Sequence, residues 1–208
     1  MKKILFNLII LTAFFVQPAY AVVMEFDGHF YERNDTFLSW HDAETYAESE
    51  GGHLATIGSQ AEQDFIWSNF QLNGTVETFD AFIWLGGTDE VQEGVWKWVT
   101  GETFWIGPSS GHPVNNAFTY WTDDNPSDTG TGQDYLAFFP ASWNHGGQPN
   151  LYGWWDDFGP PDYTGLQPSI IEWDSSPTAI PEPASSTLFL LGIGAMALKR
   201  YRRKQTQL

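Results

Sequence analysis

The sequence predicts an α+β domain, and three observations support this fold class. Two amphipathic helix patterns, each opened by a serine, lie between residues 39 and 70. Short apolar strand patterns follow from residue 82, and long loops rich in Gly, Pro, Asn and Asp separate them. Helices followed by a run of strands favour α+β over an alternating α/β arrangement. Loops this long in a compact domain are usually functional or need another source of order.

Both helices are predicted from a serine cap and an apolar stripe. The first covers residues 39–48 and begins at Ser39. The second covers residues 59–70 and begins with a capping box, in which Ser59 and Glu62 satisfy each other's backbone donors. Apolar residues at helical spacing give the predicted buried positions: Trp40, Ala43 and Ala47 in the first helix and Ala61, Phe65 and Ile66 in the second.

Short runs of β-branched and aromatic residues, bounded by turn formers, predict the strands. The predicted strands are 29–33, 53–56, 82–85, 95–99, 135–139 and 169–173. Within them we expect Trp84, Trp96 and Trp98 to belong to the core. The segment 174–180 has turn formers and no periodicity, so the folded body is predicted to end near Trp173.

The charge distribution excludes some classes of protein. The chain has 9 Lys and Arg against 26 Asp and Glu, and between residues 22 and 198 the only basic residues are Arg33 and Lys97. This balance argues against a nucleic-acid partner, because binding to phosphates needs a basic patch. Self-repulsion among the acids leaves two interpretations open: bound divalent cations, or a solvated acidic surface. The absence of cysteine excludes disulfides, thiolate metal sites and a cysteine nucleophile.

The two ends of the chain are predicted to direct export. Residues 1–21 have a charged start, an apolar stretch and the small-x-small pattern Ala19-Tyr20-Ala21, which predict a secretory signal peptide; an uncleaved anchor is the alternative. At the other end, a linker (175–183) containing Pro181-Glu182-Pro183 precedes an uncharged segment (184–198) and a basic tail (199–208). Fifteen helical residues span about 22 Å, less than the roughly 30 Å hydrocarbon core of a bilayer.

This C-terminal arrangement resembles the PEP-CTERM sorting signal of Gram-negative bacteria. The resemblance rests on Pro181, Glu182 and Pro183, the short apolar segment and the Arg-rich tail, in that order. It implies a transient stay in the inner membrane, processing near the motif by an exosortase, and delivery to the cell surface or the exopolysaccharide matrix. An ordinary single-pass transmembrane anchor is the alternative interpretation.

The body of the chain, residues 22–174, contains an ordered series of motifs. They are, in order, Trp40-x-x-Ala43-x-x-x-Ala47, Gly52-His53-Leu54-Ala55, Trp84-Leu85-Gly86-Gly87, Trp96-x-Trp98-Val99, Asn125-Pro126-Ser127, Trp155-Asp156-Asp157 and Ile171-Glu172-Trp173. In these motifs the body resembles C-type lectin-like domains. The resemblance implies two helices flanking short antiparallel sheets, with long irregular loops ordered by calcium. The family usually ties its loops with disulfides. This chain has Tyr135 where a cysteine is common, so its loops must be ordered by packing, hydrogen bonds or ions.

Two calcium sites follow from the resemblance. Asp89, Glu93, Asp128 and Asp134 match the family's auxiliary calcium site, although four separately solvated loop acids remain an alternative. Oxygen donors without cysteine or clustered histidine fit Ca²⁺ better than zinc. The sugar-binding calcium site departs further from the family pattern, so only weaker calcium binding is expected there. Its candidate ligands are Asn125, Gln133, Asp156 and Asp157, beside a Pro126 that the family keeps in the cis form.

The functional expectation is an exported, non-catalytic, carbohydrate-binding module that depends on calcium. Asn125, Asp156 and Asp157 would contact the ligand, together with Trp143 and Tyr152 from the long loops, whereas Trp155 is expected to be buried. A structural or protein-binding matrix component that never contacts sugar is the alternative. The sequence shows no Ser-His-Asp pattern. Paired acids could hydrolyse a glycosidic bond, but among 26 acids such pairs are expected by chance.

Overall fold

The computed structural model describes residues 22–70, 82–127, 132–139, 153–159 and 165–177. Within these ranges the α+β class is confirmed. The elements in chain order are β1 (Met24–Phe26), β2 (His29–Leu38), α1 (Trp40–Ser49), β3 (His53–Leu54), α2 (Gln60–Phe70), β4 (Ile83–Thr88), β5 (Val95–Trp98), β6 (Thr103–Ile106), β7 (His112–Pro113), a 3₁₀ turn (Val114–Asn116), β8 (Tyr135–Phe138), β9 (Trp155–Phe158) and β10 (Gln167–Trp173).

The strands form one mostly antiparallel sheet. Its main order is β1-β2-β10-β4-β5-β6-β7, with β3 paired to β10 and β8 paired to both β4 and β9. Strands β10 and β4 meet in parallel at the pair Ser169 and Trp84. Strands β2 and β10 run antiparallel and place Phe30 opposite Trp173, so the two ends of the described domain lie side by side.

Serine caps begin both helices, as predicted. Ser39 Oγ accepts a hydrogen bond from the backbone N–H of Asp42 (3.2 Å), and Ser59 Oγ accepts one from that of Glu62 (3.2 Å). The reciprocal half of the predicted box is shifted, because Glu62 Oε2 accepts from the N–H of Gly58 (2.7 Å). Together these bonds satisfy donors that the first turn of a helix cannot pair within itself.

The buried face of α2 differs from the predicted stripe. Ala61 is exposed, Phe65 is half-buried, and the buried positions are Gln63, Ile66 and Phe70. A polar residue occupies the core because its side chain is fully paired: Gln63 Nε2 donates to the carbonyl of Gly153 (2.5 Å) and Oε1 accepts from Trp155 Nε1 (2.9 Å). Periodicity alone cannot reveal such a partner. No helix in the described ranges is long and apolar enough to cross a bilayer.

Four strands were not predicted, namely β1, β6, β7 and β9. Strand β9 is the most informative case, because its sequence Trp155-Asp156-Asp157-Phe158 has two adjacent acids and is poor in strand formers. It is held by antiparallel pairing with all four residues of β8. The tertiary context therefore overrides local propensity here.

Aromatic packing stabilises this core, which has no disulfides. Tyr135 is buried, stacks on Trp40 with ring centroids 5.0 Å apart, and its hydroxyl lies 3.1 Å from His41 Nε2. Trp155 is fully buried, as predicted, and meets the ring of Trp98 edge-on at 5.5 Å. Such ring pairs add about 0.5–1.5 kcal/mol each beyond the area they bury.

Replacing Tyr135 with alanine tests this packing. We expect Tyr135→Ala to lower the free energy of unfolding by about 3–5 kcal/mol, because it leaves a cavity against Trp40 and removes a large buried ring. Val91→Ala is the matched control, since Val91 is 91% exposed, and should change stability by less than about 0.5 kcal/mol. Urea unfolding followed by tryptophan fluorescence measures both, and equal midpoints for the two variants would contradict the role of Tyr135.

Candidate metal and ligand site

Strand pairing brings three of the predicted calcium ligands together. Strand β4 ends at Thr88, which lies opposite Tyr135 at the start of β8. The residues just outside this pair, Asp89 and Asp134, are therefore neighbours, and the N–H of Asp89 donates to the carbonyl of Asp134 (3.2 Å). Glu93 lies in the turn that leads into β5.

The turn after β4 is held by Asp89 itself. Its backbone carbonyl accepts from the N–H of Gln92 (2.9 Å), and its Oδ2 accepts from the N–H of Gly94 (2.8 Å). Gly94 has φ of +71°, a left-handed conformation that glycine adopts without steric cost. The local fold thus orients one oxygen of Asp89 towards the turn and leaves the other for the cluster.

The three carboxylates form a compact group of oxygens. One oxygen from each of Asp89, Glu93 and Asp134 lies within 4.8 Å of the other two. Asp89 is only 3% exposed, and its Oδ1 is inaccessible to solvent with no hydrogen-bond partner among the described residues. A buried oxygen of this kind is costly unless something pairs with it. The all-oxygen donor set is the one that Ca²⁺ prefers.

The electrostatics of the cluster also favour a bound cation. Burial, followed by the charges of Glu93 and Asp134, raises the pKa of Asp89 to about 7, although the Gly94 hydrogen bond opposes the shift. A divalent cation reverses both causes, because it replaces lost hydration and neutralises the neighbouring charges. Asp128, the fourth predicted ligand, lies outside the described residues.

The second predicted set is also assembled, but its members bind one another. The Asn125 amide donates to Asp156 Oδ1, and Gln133 Nε2 donates to the backbone carbonyl of Asp157 (3.0 Å). Strand β9 carries both aspartates and pairs with β8. The Asn125–Pro126 peptide is cis, as expected from the resemblance.

Ser127 has a role that the sequence did not reveal. It is the last residue of the Asn125-Pro126-Ser127 motif and was not among the predicted ligands. Its N–H donates to Asp157 Oδ2 (2.6 Å) and its hydroxyl donates to Gln133 Oε1 (3.1 Å). A serine can supply both bonds at short range, but only the tertiary structure shows which partners it meets.

The hydrogen bonds within this second set partly offset the negative charge of Asp156 and Asp157. Burial, and then the charge of Asp157, raise the pKa of Asp156 to about 7, while the hydrogen bond from Asn125 lowers it. Asp157 is almost fully buried and receives the Ser127 N–H. Amide and backbone dipoles therefore stabilise part of the negative charge that a cation would otherwise neutralise at Asp156 and Asp157.

A groove connects the two sets. Its volume is about 480 Å³, and its lining includes Asp89 and Glu93 from the first set, Asp157 from the second, and Pro126 and Ser127. The remaining candidate contacts, Trp143 and Tyr152, lie outside the described residues, as do the sorting residues Pro181, Glu182 and Pro183.

Two family models match the chain. The model described as "Lectin C-type domain" matches residues 36–146, which is more than half of the chain. The chain belongs to the C-type lectin domain family. A second model, the PEP-CTERM protein-sorting motif, matches residues 179–204. The two matches describe an exported, non-catalytic lectin-like module, as the sequence predicted.

Known proteins share this fold at moderate identity. Hepatic lectin of Gallus gallus is 31% identical over 120 residues, which are 57% of this chain and 49% of that protein. A mouse scavenger receptor C-type lectin carbohydrate-recognition domain has a TM-score of 0.54 at 24% identity, covering 76% of this chain and 97% of that domain. A complex of SPL-1 with GlcNAc has a TM-score of 0.52 at 24% identity, covering 74% and 93%. The chain spans about half, or less, of the length of the curated relatives it matches.

The raised pKa values predict how stability depends on pH. In the calcium-free protein the folded state holds the protons of Asp89 and Asp156 up to about pH 7, whereas the unfolded chain releases them near its ordinary value. The unfolded state then binds fewer protons between about pH 4 and pH 7, so the free energy of unfolding should fall as pH rises through this window and level off above it.

Asp89→Asn tests that dependence. The variant should flatten the slope and stabilise the calcium-free protein at pH 8 by an amount on the order of 2–4 kcal/mol. Asp123→Asn, at an exposed position, is the control and should keep the wild-type slope. Chemical unfolding in chelator at several pH values is the measurement, and an identical slope in Asp89→Asn would refute the assignment.

Proposed function

We propose that this chain is an exported module whose loops are ordered by Ca²⁺ and bind carbohydrate. Asp89, Glu93 and Asp134 hold the ion, with Asp128 as a further ligand. The single observation that carries the proposal is the buried Oδ1 of Asp89, which accepts no hydrogen bond from the described residues and belongs to a cluster of three carboxylates. Calcium takes 6–8 oxygens, so backbone carbonyls and waters complete the shell.

The position of this ion explains how it acts on recognition. Asp89 follows β4 and Asp134 precedes β8, so one ion would fix the end of one strand and the start of the strand paired with it. The groove that Asp89 and Glu93 line is also lined by Pro126 and Ser127. Bound calcium would therefore order part of the wall of the groove beside which the ligand is proposed to bind.

Calcium binding is tested by titration calorimetry on the purified protein. Asp134→Asn should weaken Ca²⁺ binding by at least about tenfold, because calcium affinity depends on ligand charge. Asp123→Asn removes the same charge from an exposed position and should leave the affinity unchanged. Equal affinities in the two variants, or no saturable calcium binding to the wild type, would remove calcium from the proposal.

The ligand surface is proposed around Asn125, Asp156 and Asp157. Their carboxylate and amide groups suit the hydroxyl groups of a sugar, and the flanking groove of about 480 Å³ has room for a monosaccharide unit. Trp143 and Tyr152 are proposed to contribute an aromatic face. The neighbouring fold in the SPL-1–GlcNAc complex supports a carbohydrate as the class of ligand.

A glycan array with and without chelator tests this surface. Wild-type binding should be lost in chelator and restored by added calcium. Asn125→Ala should abolish sugar binding while leaving the calcium isotherm in place, and Asp123→Asn should behave like the wild type. Binding that survives both chelator and Asn125→Ala would sink the proposed surface.

One observation favours a second candidate function, a matrix component that binds protein or serves as structure without contacting sugar. Asn125, Ser127 and Gln133 already use polar groups to hold Asp156 and Asp157. A sugar would have to displace or share these bonds. If this second function is correct, the wild type binds no glycan on the array, so Asn125→Ala causes no change there. The variant should also still bind to matrix from which the exopolysaccharide has been removed.

The sorting motif gives this module its proposed destination. Pro181, Glu182 and Pro183 lie within the matched PEP-CTERM segment, and we propose that an exosortase processes the chain near them. Residues 184–198 would hold the chain in the inner membrane only transiently. The released body, residues 22–174, would then reach the cell surface or the exopolysaccharide matrix.

A further inference from the structure

A second group of possible metal ligands lies at the end of the sheet where β2, β3 and β10 meet. Strands β10 and β3 place Glu172 opposite His53, so their side chains share one face of the sheet. His29 opens β2 beside the end of β10, and Asp174 directly follows β10. Residues far apart in the sequence are thereby brought to one point.

One ligand atom from each of His29, Glu172 and Asp174 lies within 4.8 Å of the other two, and His53 adjoins this group through Asp174. His29 Nδ1 lies 2.8 Å from Glu172 Oε1 and 3.4 Å from Asp174 Oδ1, and His53 Nε2 lies 3.8 Å from the same Asp174 oxygen. Ligand atoms about 2.1 Å from a zinc-class ion are roughly 3–4 Å from one another. Both ring nitrogens are inaccessible to solvent and make no hydrogen bond of acceptable geometry with the described residues.

The tautomer of His53 is suited to metal binding. Its Nδ1 lies 2.9 Å from the carbonyl oxygen of Leu54. A carbonyl only accepts, so Nδ1 carries the proton and the lone pair of the neutral ring is on Nε2, facing Asp174. A lone pair facing a carboxylate is repulsive unless a cation lies between them. An N–H to carbonyl bond on the opposite nitrogen is also the usual support of a metal-bound histidine.

Glu172 is held in the orientation that a ligand needs. It is 1% exposed, and its Oε2 accepts from the N–H of Thr56 (2.8 Å) and from the Thr56 hydroxyl (3.1 Å). Its Oε1 lies 2.8 Å from His29 Nδ1 and also accepts a longer hydrogen bond, of 3.5 Å, from the hydroxyl of Tyr31. A ligand carboxylate fixed by hydrogen bonds to its other oxygen is a common arrangement around protein-bound metals.

We infer that His29, His53, Glu172 and Asp174 bind a transition-metal ion of the zinc class. Two imidazole nitrogens with two carboxylates suit Zn²⁺, whereas Ca²⁺ prefers an all-oxygen shell. This site is separate in residues and in chemistry from the carboxylate cluster at Asp89. It joins the two ends of the described domain, since His29 and Asp174 flank its first and last long strands.

A groove gives an ion access to this group. It has a volume of about 500 Å³, and the aromatic rings of Trp98, Phe104 and Phe118 line it beside His29 and His53. The metal is therefore reachable from solvent without any rearrangement of the strands.

Calorimetric titration of the purified full-length protein with zinc chloride at neutral pH tests the inference. The wild type should bind one Zn²⁺ in this site, and His53→Gln and Asp174→Asn should each weaken that binding by at least about tenfold, the loss that even outer-shell changes commonly produce. His112→Gln, at an exposed histidine on β7, is the matched control and should bind zinc like the wild type. Excess calcium should not displace the zinc, and Asp89→Asn should bind it normally.

If one variant folds poorly, the shift that zinc causes in the thermal unfolding midpoint provides a second test. Asp174 has a side chain that is 74% exposed, so its substitution leaves the core intact. Zinc should raise the midpoint of the wild type and of His112→Gln but not that of Asp174→Asn. The inference is overturned if zinc binds Asp174→Asn and His53→Gln as tightly as the wild type, or if no saturable binding occurs. In either case the group is held together by ion pairs with protonated histidine.

Discussion

Negative charge converges at the end of β4, where the buried carboxylate of Asp89 meets those of Glu93 and Asp134. The body of the chain offers only Arg33 and Lys97 as permanent positive charges, so a side-chain counterion is scarce. The strand pairing between β4 and β8 nevertheless requires Asp89 and Asp134 to be neighbours. A divalent cation bound among these carboxylates, as proposed above, would neutralise this repulsion.

The absence of cysteine makes packing the second constraint. Aromatic packing stabilises the core: Tyr135 stacks on Trp40, and Trp155 is fully buried. Gln63 adds a polar tie, since it bonds both Gly153 and Trp155 and so connects α2 to the segment that carries β9. These contacts stabilise the scaffold from within.

Helix boundaries and buried tryptophans could be predicted because their signals are local. Serine caps and helical spacing are properties of ten or so consecutive residues, and Trp84 and Trp98 lie in runs of strand formers. Strand β9 could not be predicted in this way, because only its pairing with β8 gives adjacent aspartates an extended, buried environment. The burial of Gln63 likewise depended on partners about 90 residues away.

The family, the sorting segment and the acidic loop residues could be recognised from the amino-acid order alone, because they depend on ordered motifs and residue types. Which polar groups meet could be read only from the folded chain. It brought Asp89 to Asp134, turned Asn125 towards Asp156, and gathered His29 near Asp174. The physical reason is that sheet register, set by the burial of one face, fixes neighbours across gaps in sequence that no local pattern records.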